Sequence, residues 1–170
     1  MAIQMIFCLE TNKRANTDYI YITETIDWLY QKSNQIKFSP IYMGTKTKYR
    51  SKDILKEIKQ KTKEFTIGKT QVIYCIDTDE YEKNPEHANA FRDISQFCEV
   101  NGYDLIWFCH DVEEVFLGQK VQDSKKVGEA GVFKRKKGIQ EIGMDQLCSE
   151  VVRIHTSNIL CVLDQYLTRK

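Results

Sequence analysis

The sequence has few of the residues that interrupt regular structure, and it lacks the motifs that mark common cofactor sites. Two prolines and eight glycines in 170 residues predict short loops and a high content of helix and strand. No glycine-rich phosphate loop and no GxGxxG fingerprint is found, so nucleotide hydrolysis and dinucleotide binding have no support. Apolar residues make up 42% of the chain, which excludes a disordered protein and favours a single globular domain over residues 1–170.

The six cysteines do not form a metal-binding or disulfide framework in the sequence. No two of them have CxxC spacing, and most stand inside apolar runs, where cysteine behaves as a small hydrophobic residue. The opening stretch MAIQMIFCLE lacks the basic start of a secretory signal, and no apolar run approaches the ~20 residues of a membrane span. We therefore expect a reducing, cytoplasmic environment and no membrane partner.

Continuous apolar runs of strand length alternate with helical patterns along the first two thirds of the chain. The runs are AIQMIFCLE, IKFSPIYMG, QVIYCID and YDLIWFC. Strands that read as unbroken apolar runs are typical of a sheet covered on both faces. The predicted fold is α/β, a single Rossmann-like domain with a mostly parallel sheet of about four strands and helices on both faces. Residues 119–138 are expected to form a flexible basic insert, and residues 139–170 the C-terminal helices.

Three of the four predicted strands end in acidic residues. These are Glu10 after the first strand, Asp77 and Asp79 after the third, and Asp111, Glu113 and Glu114 after the fourth. Ligands of parallel sheets bind beyond the carboxyl ends of the strands, so the acids converge if these three strands are neighbours. Carboxylates crowded together repel, and a hard divalent cation relieves that repulsion. The alternative is a set of solvated turns and helix caps.

The order of these motifs resembles the Toprim domain of topoisomerases, primases, RNA-maturation nucleases and phage-defence nucleases. The matching pieces are IFCLE with Glu10, VIYCIDTD with Asp77 and Asp79, and WFCHDVEEVFL with Glu114. The chain is most similar to compact, RloB-like members over about residues 2–120. It departs from the family pattern at Thr11, where glycine usually follows the glutamate, and at Cys109 or His110, where serine is expected.

The resemblance implies cleavage of a nucleic-acid phosphodiester with Mg²⁺ or Mn²⁺, in a nuclease that acts against phage or mobile elements. The metal ligands would be Asp77, Asp79 and Glu114, with Asp111 and Glu113 as rivals for the third position, and Glu10 would be the general base or acid. The departures leave a second interpretation open. In it, the domain keeps the Toprim-like fold without the chemistry and binds nucleic acid or a partner protein.

Charge is unevenly distributed although the net charge is only +1. Residues 77–114 hold eleven acids against two bases, whereas residues 119–137 hold seven bases against two acids. Basic segments beside an acidic centre fit a phosphate backbone held on either side of a metal site. The candidate backbone-binding residues are Lys125, Lys126, Lys134, Arg135, Lys136 and Lys137. Nucleic acid is the expected partner, and a homo-oligomer or a larger defence complex is left open.

His110 stands between the fourth strand and the acids that follow it. It is a candidate ligand or proton donor, although a histidine in such a place is more often a packing residue. Adjacent residues of a strand point to opposite faces, so Cys109 and His110 are not expected to act as a pair.

Overall fold

The computed structural model describes residues 1–170 and has a parallel sheet at its centre. Its strands are β1 (Ala2–Leu9), β2 (Ile36–Tyr42), β3 (Gly68–Asp77) and β4 (Asp104–Phe108). They lie in the order β2-β1-β3-β4, and every neighbouring pair is parallel. The predicted four-stranded parallel sheet is confirmed, and the first, third and fourth strands lie side by side, which is the condition under which their acids converge.

Seven helices and two 3₁₀ turns surround the sheet. The helices are α1 (Thr17–Leu29), α2 (Lys52–Glu64), α3 (Pro85–Asn101), α4 (Val112–Leu117), α5 (Asp123–Arg135), α6 (Met144–Leu147) and α7 (Ile159–Leu163). The 3₁₀ turns cover Lys46–Lys48 and Gly138–Glu141. None of the helices is long and apolar enough to cross a membrane.

Local signals in the sequence account for the ends of the longer helices. The Ser51 side chain accepts a hydrogen bond from the backbone N–H of Ile54 and so caps α2. Helix α3 begins with Pro85 and ends at Gly102, whose φ of 67° lies in the left-handed region that favours glycine. Side-chain capping and the conformational freedom of glycine therefore favour these ends of α2 and α3.

The sheet is covered on both faces by separate layers of apolar side chains. Phe7 of β1 belongs to the larger layer, together with Tyr21 of α1 and residues of α4, α5 and α7. Cys8 and Tyr74 point to the other face, where they pack with residues of α2 and α3. The helices on both faces are as predicted. Burial on both faces is the reason that the strands read as continuous apolar runs.

The segment 119–138, expected to be a flexible insert, contains helix α5. Its residues Ala130 and Phe133 are buried, and the Phe133 ring centroid lies 4.9 Å from that of Tyr21. Ala130 and Phe133, three residues apart on one face of α5, therefore hold the helix against the core, although the glycines and lysines of this segment predicted a loop.

The C-terminal part 139–170 has shorter helices than the sequence pattern indicated. Between α6 and α7 the chain runs along the free edge of β4, where Ser157 forms an antiparallel bridge with Phe108. The backbone N–H of Cys109 donates to Thr156 O at 3.0 Å. The residues of this edge contact lie in the part of the chain that we expected to form the C-terminal helices.

The direction of strand addition reverses between β1 and β3. The chain first places β2 on one side of β1 and then crosses to place β3 on the other side. The carboxyl ends of β1 and β3 therefore form the switch point at which open α/β sheets bind ligands. Glu10 follows β1 directly, and Asp77 is the last residue of β3.

Candidate active site and a neighbouring histidine cluster

A polar cleft of about 560 Å³ opens at this switch point, and we call it the acidic cleft. Only one of its fourteen lining residues is hydrophobic. The lining comprises Glu10, Thr11, Asn12, Ala15, Thr17, Asp18, Gly44, Thr45, Lys46, Asp77, Asp79, Glu113, Asp123 and Lys126. A cleft with so little apolar surface suits a charged ligand better than a hydrophobic one.

The strand ends supply the first acids of the cleft. The Glu10 side chain is 16% exposed, and the Asp79 side chain is 41% exposed. Asp79 has a φ of 50°, which is unusual for a residue other than glycine. Its backbone N–H donates to His110 O at 2.9 Å, which joins the segment after β3 to the segment after β4. With the chain turned here, both Asp77 and Asp79 line the cleft.

Two further acids come from helix starts. Asp18 is buried in the first turn of α1, and Glu113 is buried in the first turn of α4 with a side chain only 1% exposed. Glu113 is among the rival third acids predicted from the sequence, whereas Asp18 is not. An acid in a first helical turn is common because it complements the helix dipole, so Asp18 carried no distinctive signal.

Burial and mutual repulsion raise the pKa values of these carboxyl groups. Burial raises the pKa of Glu10 to about 8, although the Lys46 ammonium group opposes the shift. Burial, and then the charge of Glu113, raises the pKa of Asp18 to about 7. The pKa of Asp77 lies well above its usual range because the group is buried and Glu10 is close. The free cleft therefore retains protons at neutral pH.

Two lysines partly neutralise the cleft. Lys46 Nζ donates to Asp77 O at 2.6 Å and to the Asp79 carboxylate, and it lies 3.6 Å from Glu10 Oε1. Lys126 Nζ lies 3.1 Å from both Asp111 Oδ2 and Glu113 Oε2. Neither interaction was predicted from the sequence, since Lys126 was assigned to backbone binding and Lys46 was not singled out.

Several oxygens of the cleft are buried without a hydrogen-bond partner. They are Glu10 Oε1, Thr11 Oγ1 and both carboxylate oxygens of Glu113. Glu113 Oε2 is close to Lys126 Nζ but lacks the geometry of a hydrogen bond. Buried oxygens without partners are costly and fit a hard cation, which binds oxygen ligands.

The predicted third acids have different surroundings. Asp111 caps α4, since its Oδ1 accepts from the Glu114 N–H at 2.9 Å, and its other oxygen contacts Lys126. Glu114 does not line the cleft, because its Oε2 lies 2.8 Å from His110 Nδ1. The structure therefore brings Glu113, rather than Glu114, together with Glu10, Asp77 and Asp79.

A second group of side chains, the histidine cluster, consists of Glu82, Cys109, His110 and Glu114. Ligand atoms of the first three all lie within 4.8 Å of one another, and these residues could hold a metal ion. No other group of three or more His, Cys, Asp or Glu residues in residues 1–170 meets that distance. The acids of the cleft are more widely spaced, with ammonium groups between them.

The pairing of Cys109 with His110 contradicts the expectation that they point to opposite faces. His110 has a φ of 61°, so it is not part of an extended strand. Its N–H donates to Thr78 Oγ1 at 2.9 Å, which holds this conformation. The alternation of a strand therefore ends at Cys109, and a one-residue change of backbone conformation brings the two side chains together.

The basic residues of 125–137 separate into two groups. Lys126 lies in the acidic cleft, whereas the others do not line it. Lys125 is exposed on α5, and Lys134, Arg135, Lys136 and Lys137 are exposed at and beyond its end. These five side chains are free to meet a large anionic partner, and their role in nucleic-acid binding stays a prediction.

Comparison with known proteins identified no relative: no family model, no curated protein and no solved structure matches this chain.

Proposed function

We propose that the acidic cleft binds Mg²⁺ or Mn²⁺ and cleaves a phosphodiester bond of nucleic acid, as the resemblance to Toprim domains implies. The observation that carries the proposal is the set of buried carboxylate oxygens at the switch point of the sheet that accept no hydrogen bond, although Lys46 and Lys126 lie near them. Oxygen-only ligands that include several carboxylates match the preference of these hard cations. Carboxyl groups with raised pKa values are also typical of functional sites.

The proposed metal ligands in the cleft are Asp77, Asp79 and Glu113. Glu113 replaces Glu114 in the proposal, because the Glu114 carboxylate is engaged by His110 at 2.8 Å. Asp111 is less suited, since one oxygen caps α4 and the other contacts Lys126. When bound, the metal would polarise the phosphate and help to form hydroxide from water.

The remaining residues have roles that follow from their positions. Burial raises the pKa of Glu10 to about 8, so Glu10 holds its proton at neutral pH and is suited to donate it to the leaving oxygen as a general acid. Lys46 is only 12% exposed and sits between Glu10 and Asp79, where its ammonium group can stabilise negative charge that develops on a phosphate oxygen. The products would be a phosphate monoester and a free hydroxyl group.

The exposed basic group at the end of α5 supports a nucleic-acid substrate. Lys134, Arg135, Lys136 and Lys137 are consecutive and solvent-exposed. Contacts of this type are made to phosphates and carry no base specificity. Binding should therefore be independent of sequence and should weaken steeply as the salt concentration rises.

The test is a cleavage assay on single- and double-stranded DNA and RNA, with Mg²⁺, Mn²⁺ or EDTA. Asp77→Asn should lower the cleavage rate by about 100-fold or more, the usual scale for losing a group that stabilises the transition state. Asp93→Asn is the matched control, because Asp93 is exposed on α3 and its side chain is 56% accessible. Metal-independent cleavage, or equal rates for the wild type and Asp77→Asn, would rule the proposal out.

One observation favours the non-catalytic alternative. Lys46 and Lys126 already place two positive charges among the cleft acids, as structural counter-ions do. In that case the domain binds nucleic acid or a partner through its exposed basic group, with no cleavage under any metal condition. Filter binding of the same substrates at increasing salt, without turnover, would support this alternative.

A further inference from the structure

The histidine cluster has a ligand set that differs in kind from that of the acidic cleft. Cys109 offers sulfur, His110 offers a ring nitrogen and Glu82 offers a carboxylate oxygen, with all three ligand atoms within 4.8 Å. Atoms bonded to one zinc ion at about 2.0–2.3 Å lie less than about 4.6 Å apart, so only small side-chain movements are needed. Sulfur and imidazole together favour zinc and its neighbours over magnesium.

His110 is held in the orientation that a metal ligand needs. Its Nδ1 lies 2.8 Å from Glu114 Oε2, and its Nε2 lies 3.0 Å from Glu82 Oε1. A carboxylate that accepts a hydrogen bond from one ring nitrogen fixes the orientation of the ring and makes the other nitrogen a stronger metal ligand, as in many zinc sites. Glu114 is therefore placed to position His110 rather than to bind a metal in the acidic cleft.

The cluster is reachable from solvent on one side. The Glu82 side chain is 40% exposed and the His110 side chain is 26% exposed, whereas Cys109 is fully buried. The buried side supplies the thiol, and the open side leaves room for a water molecule as the fourth ligand. Three protein ligands with one open position is the arrangement of many catalytic zinc sites.

We propose that Cys109, His110 and Glu82 form a binding site for a Zn²⁺-class divalent cation, with Glu114 as the positioning residue of His110. On binding, the Cys109 thiol and His110 Nε2 each lose a proton to solvent, and the bond from Nε2 to the metal replaces the hydrogen bond to Glu82. Cysteine and histidine bind zinc in their deprotonated forms, so uptake of the ion should release protons at neutral pH. The proposal does not depend on cleavage activity in the acidic cleft.

The experiment must separate this site from a second pair of thiols. Cys148 Sγ and Cys161 Sγ lie 2.9 Å apart near the surface and could take up zinc themselves. All measurements therefore use the full chain with Cys148→Ser and Cys161→Ser as the reference protein. The probe is Co²⁺, which accepts the same ligands as Zn²⁺ and gives a thiolate-to-cobalt absorption band that reports sulfur ligation.

We expect the reference protein to bind one Co²⁺ with this band, and Zn²⁺ to displace it. Cys109→Ala should abolish the band, whereas Cys98→Ala, which removes another buried thiol, should retain it. Glu114→Gln should keep the band but weaken Zn²⁺ affinity by about 10- to 100-fold, the usual effect of removing a carboxylate that orients a histidine ligand. Asp77→Asn should leave both readouts unchanged, because it belongs to the acidic cleft.

Two outcomes would overturn the proposal: no thiolate-to-cobalt band in the reference protein, or a band that Cys109→Ala leaves intact. Circular dichroism of each variant guards against loss of the fold. If Cys109→Ala unfolds, His110→Gln decides the matter, since His110 is partly exposed and its loss should weaken Zn²⁺ binding while the band shifts. Unchanged Zn²⁺ affinity in a folded His110→Gln variant would equally overturn the proposal.

Discussion

The acidic cleft and the histidine cluster are neighbours at the ends of β3 and β4, yet they balance charge in different ways. In the cleft, lysine ammonium groups stand among carboxyl groups, and Lys126 contacts both Asp111 and Glu113. In the cluster, one histidine stands between two glutamates, Glu82 and Glu114. Lysine keeps its charge across the physiological pH range, whereas histidine loses it near neutrality.

Because the two sites balance charge differently, each should have its own pH dependence and its own metal preference. The cleft responds through acids that gain charge as pH rises, because burial raises the pKa values of Glu10 and Asp18 to about 8 and about 7. The cluster responds through His110, which loses its charge as pH rises. An oxygen-only site selects hard cations, and a site with sulfur and nitrogen selects zinc-like ions.

The largest expected effect is a loss of stability with rising pH in the metal-free protein. The folded state holds the Glu10 proton up to about pH 8, whereas the unfolded chain loses it near its ordinary value of 4.5. The folded state thus binds more protons in this window, and its free energy of unfolding falls by up to about 1.4 kcal/mol per pH unit. Urea unfolding in EDTA from pH 5 to pH 8 should show a fall to which Glu10 alone contributes about 3 kcal/mol.

Glu10→Gln is the control for this slope, because the amide keeps the shape of the side chain and cannot titrate. Its stability should fall less steeply with pH than that of the wild type, and the slope that remains should come from Asp18 and Asp77, whose pKa values burial also raises. Saturating Mg²⁺ should also flatten the wild-type slope, since a cation favours the ionised carboxylates. Equal slopes for the wild type and Glu10→Gln would show that Glu10 titrates normally in the folded protein.

The second effect concerns the counter-ion of the cleft. Lys126→Met removes the charge near Glu113, whose side chain is 1% exposed, but keeps much of the apolar stem. Breaking a buried ion pair costs about 3–5 kcal/mol, and the partial exposure of Lys126 reduces our expectation to about 2 kcal/mol. Urea unfolding at pH 7 in EDTA measures this cost.

The double variant Lys126→Met with Glu113→Gln should recover most of that loss, because no buried charge is then left without a partner. Mg²⁺ should stabilise Lys126→Met more than it stabilises the wild type, since the cation takes the place of the ammonium group. If Lys126→Met and the wild type unfold at the same urea concentration, the lysine is not a counter-ion of the cleft.

The strand ends of the candidate site were predictable, whereas its helical residues were not. Glu10 and Asp77 follow apolar runs that only a doubly covered parallel sheet explains. Glu113 and Glu114 are adjacent in the sequence, so their side chains point about 100° apart around helix α4. Which of the two faces the cleft depends on where α4 begins, and that is set by the cap at Asp111. Lys46 reaches the cleft from the turn after β2, and no local pattern encodes that contact.

Backbone conformation was the second source of error. The alternation of strand side chains separated Cys109 from His110, but the left-handed conformation of His110 depends on a hydrogen bond to Thr78 of another strand end. Helix α5 was missed for a related reason. Its glycines and lysines disfavour a regular element locally, and the packing of Phe133 against Tyr21 outweighs that tendency.

The smallest expected effect tests the histidine cluster as a charge switch in the absence of metal. Burial lowers the pKa of His110, but hydrogen bonds to Glu114 and Glu82 outweigh burial and raise it above its ordinary value. A pKa that is higher in the folded than in the unfolded state adds stability to the fold. This stabilisation is fully present below the pKa of the unfolded state, near 6.5, and disappears as pH rises through the pKa of the folded state. His110→Gln should therefore be less stable than the wild type at pH 5.5 by less than about 1 kcal/mol, given the partial exposure. This difference should disappear at high pH, which opposes the trend expected for Glu10, and a difference independent of pH would mean that packing, not charge, holds His110 in place.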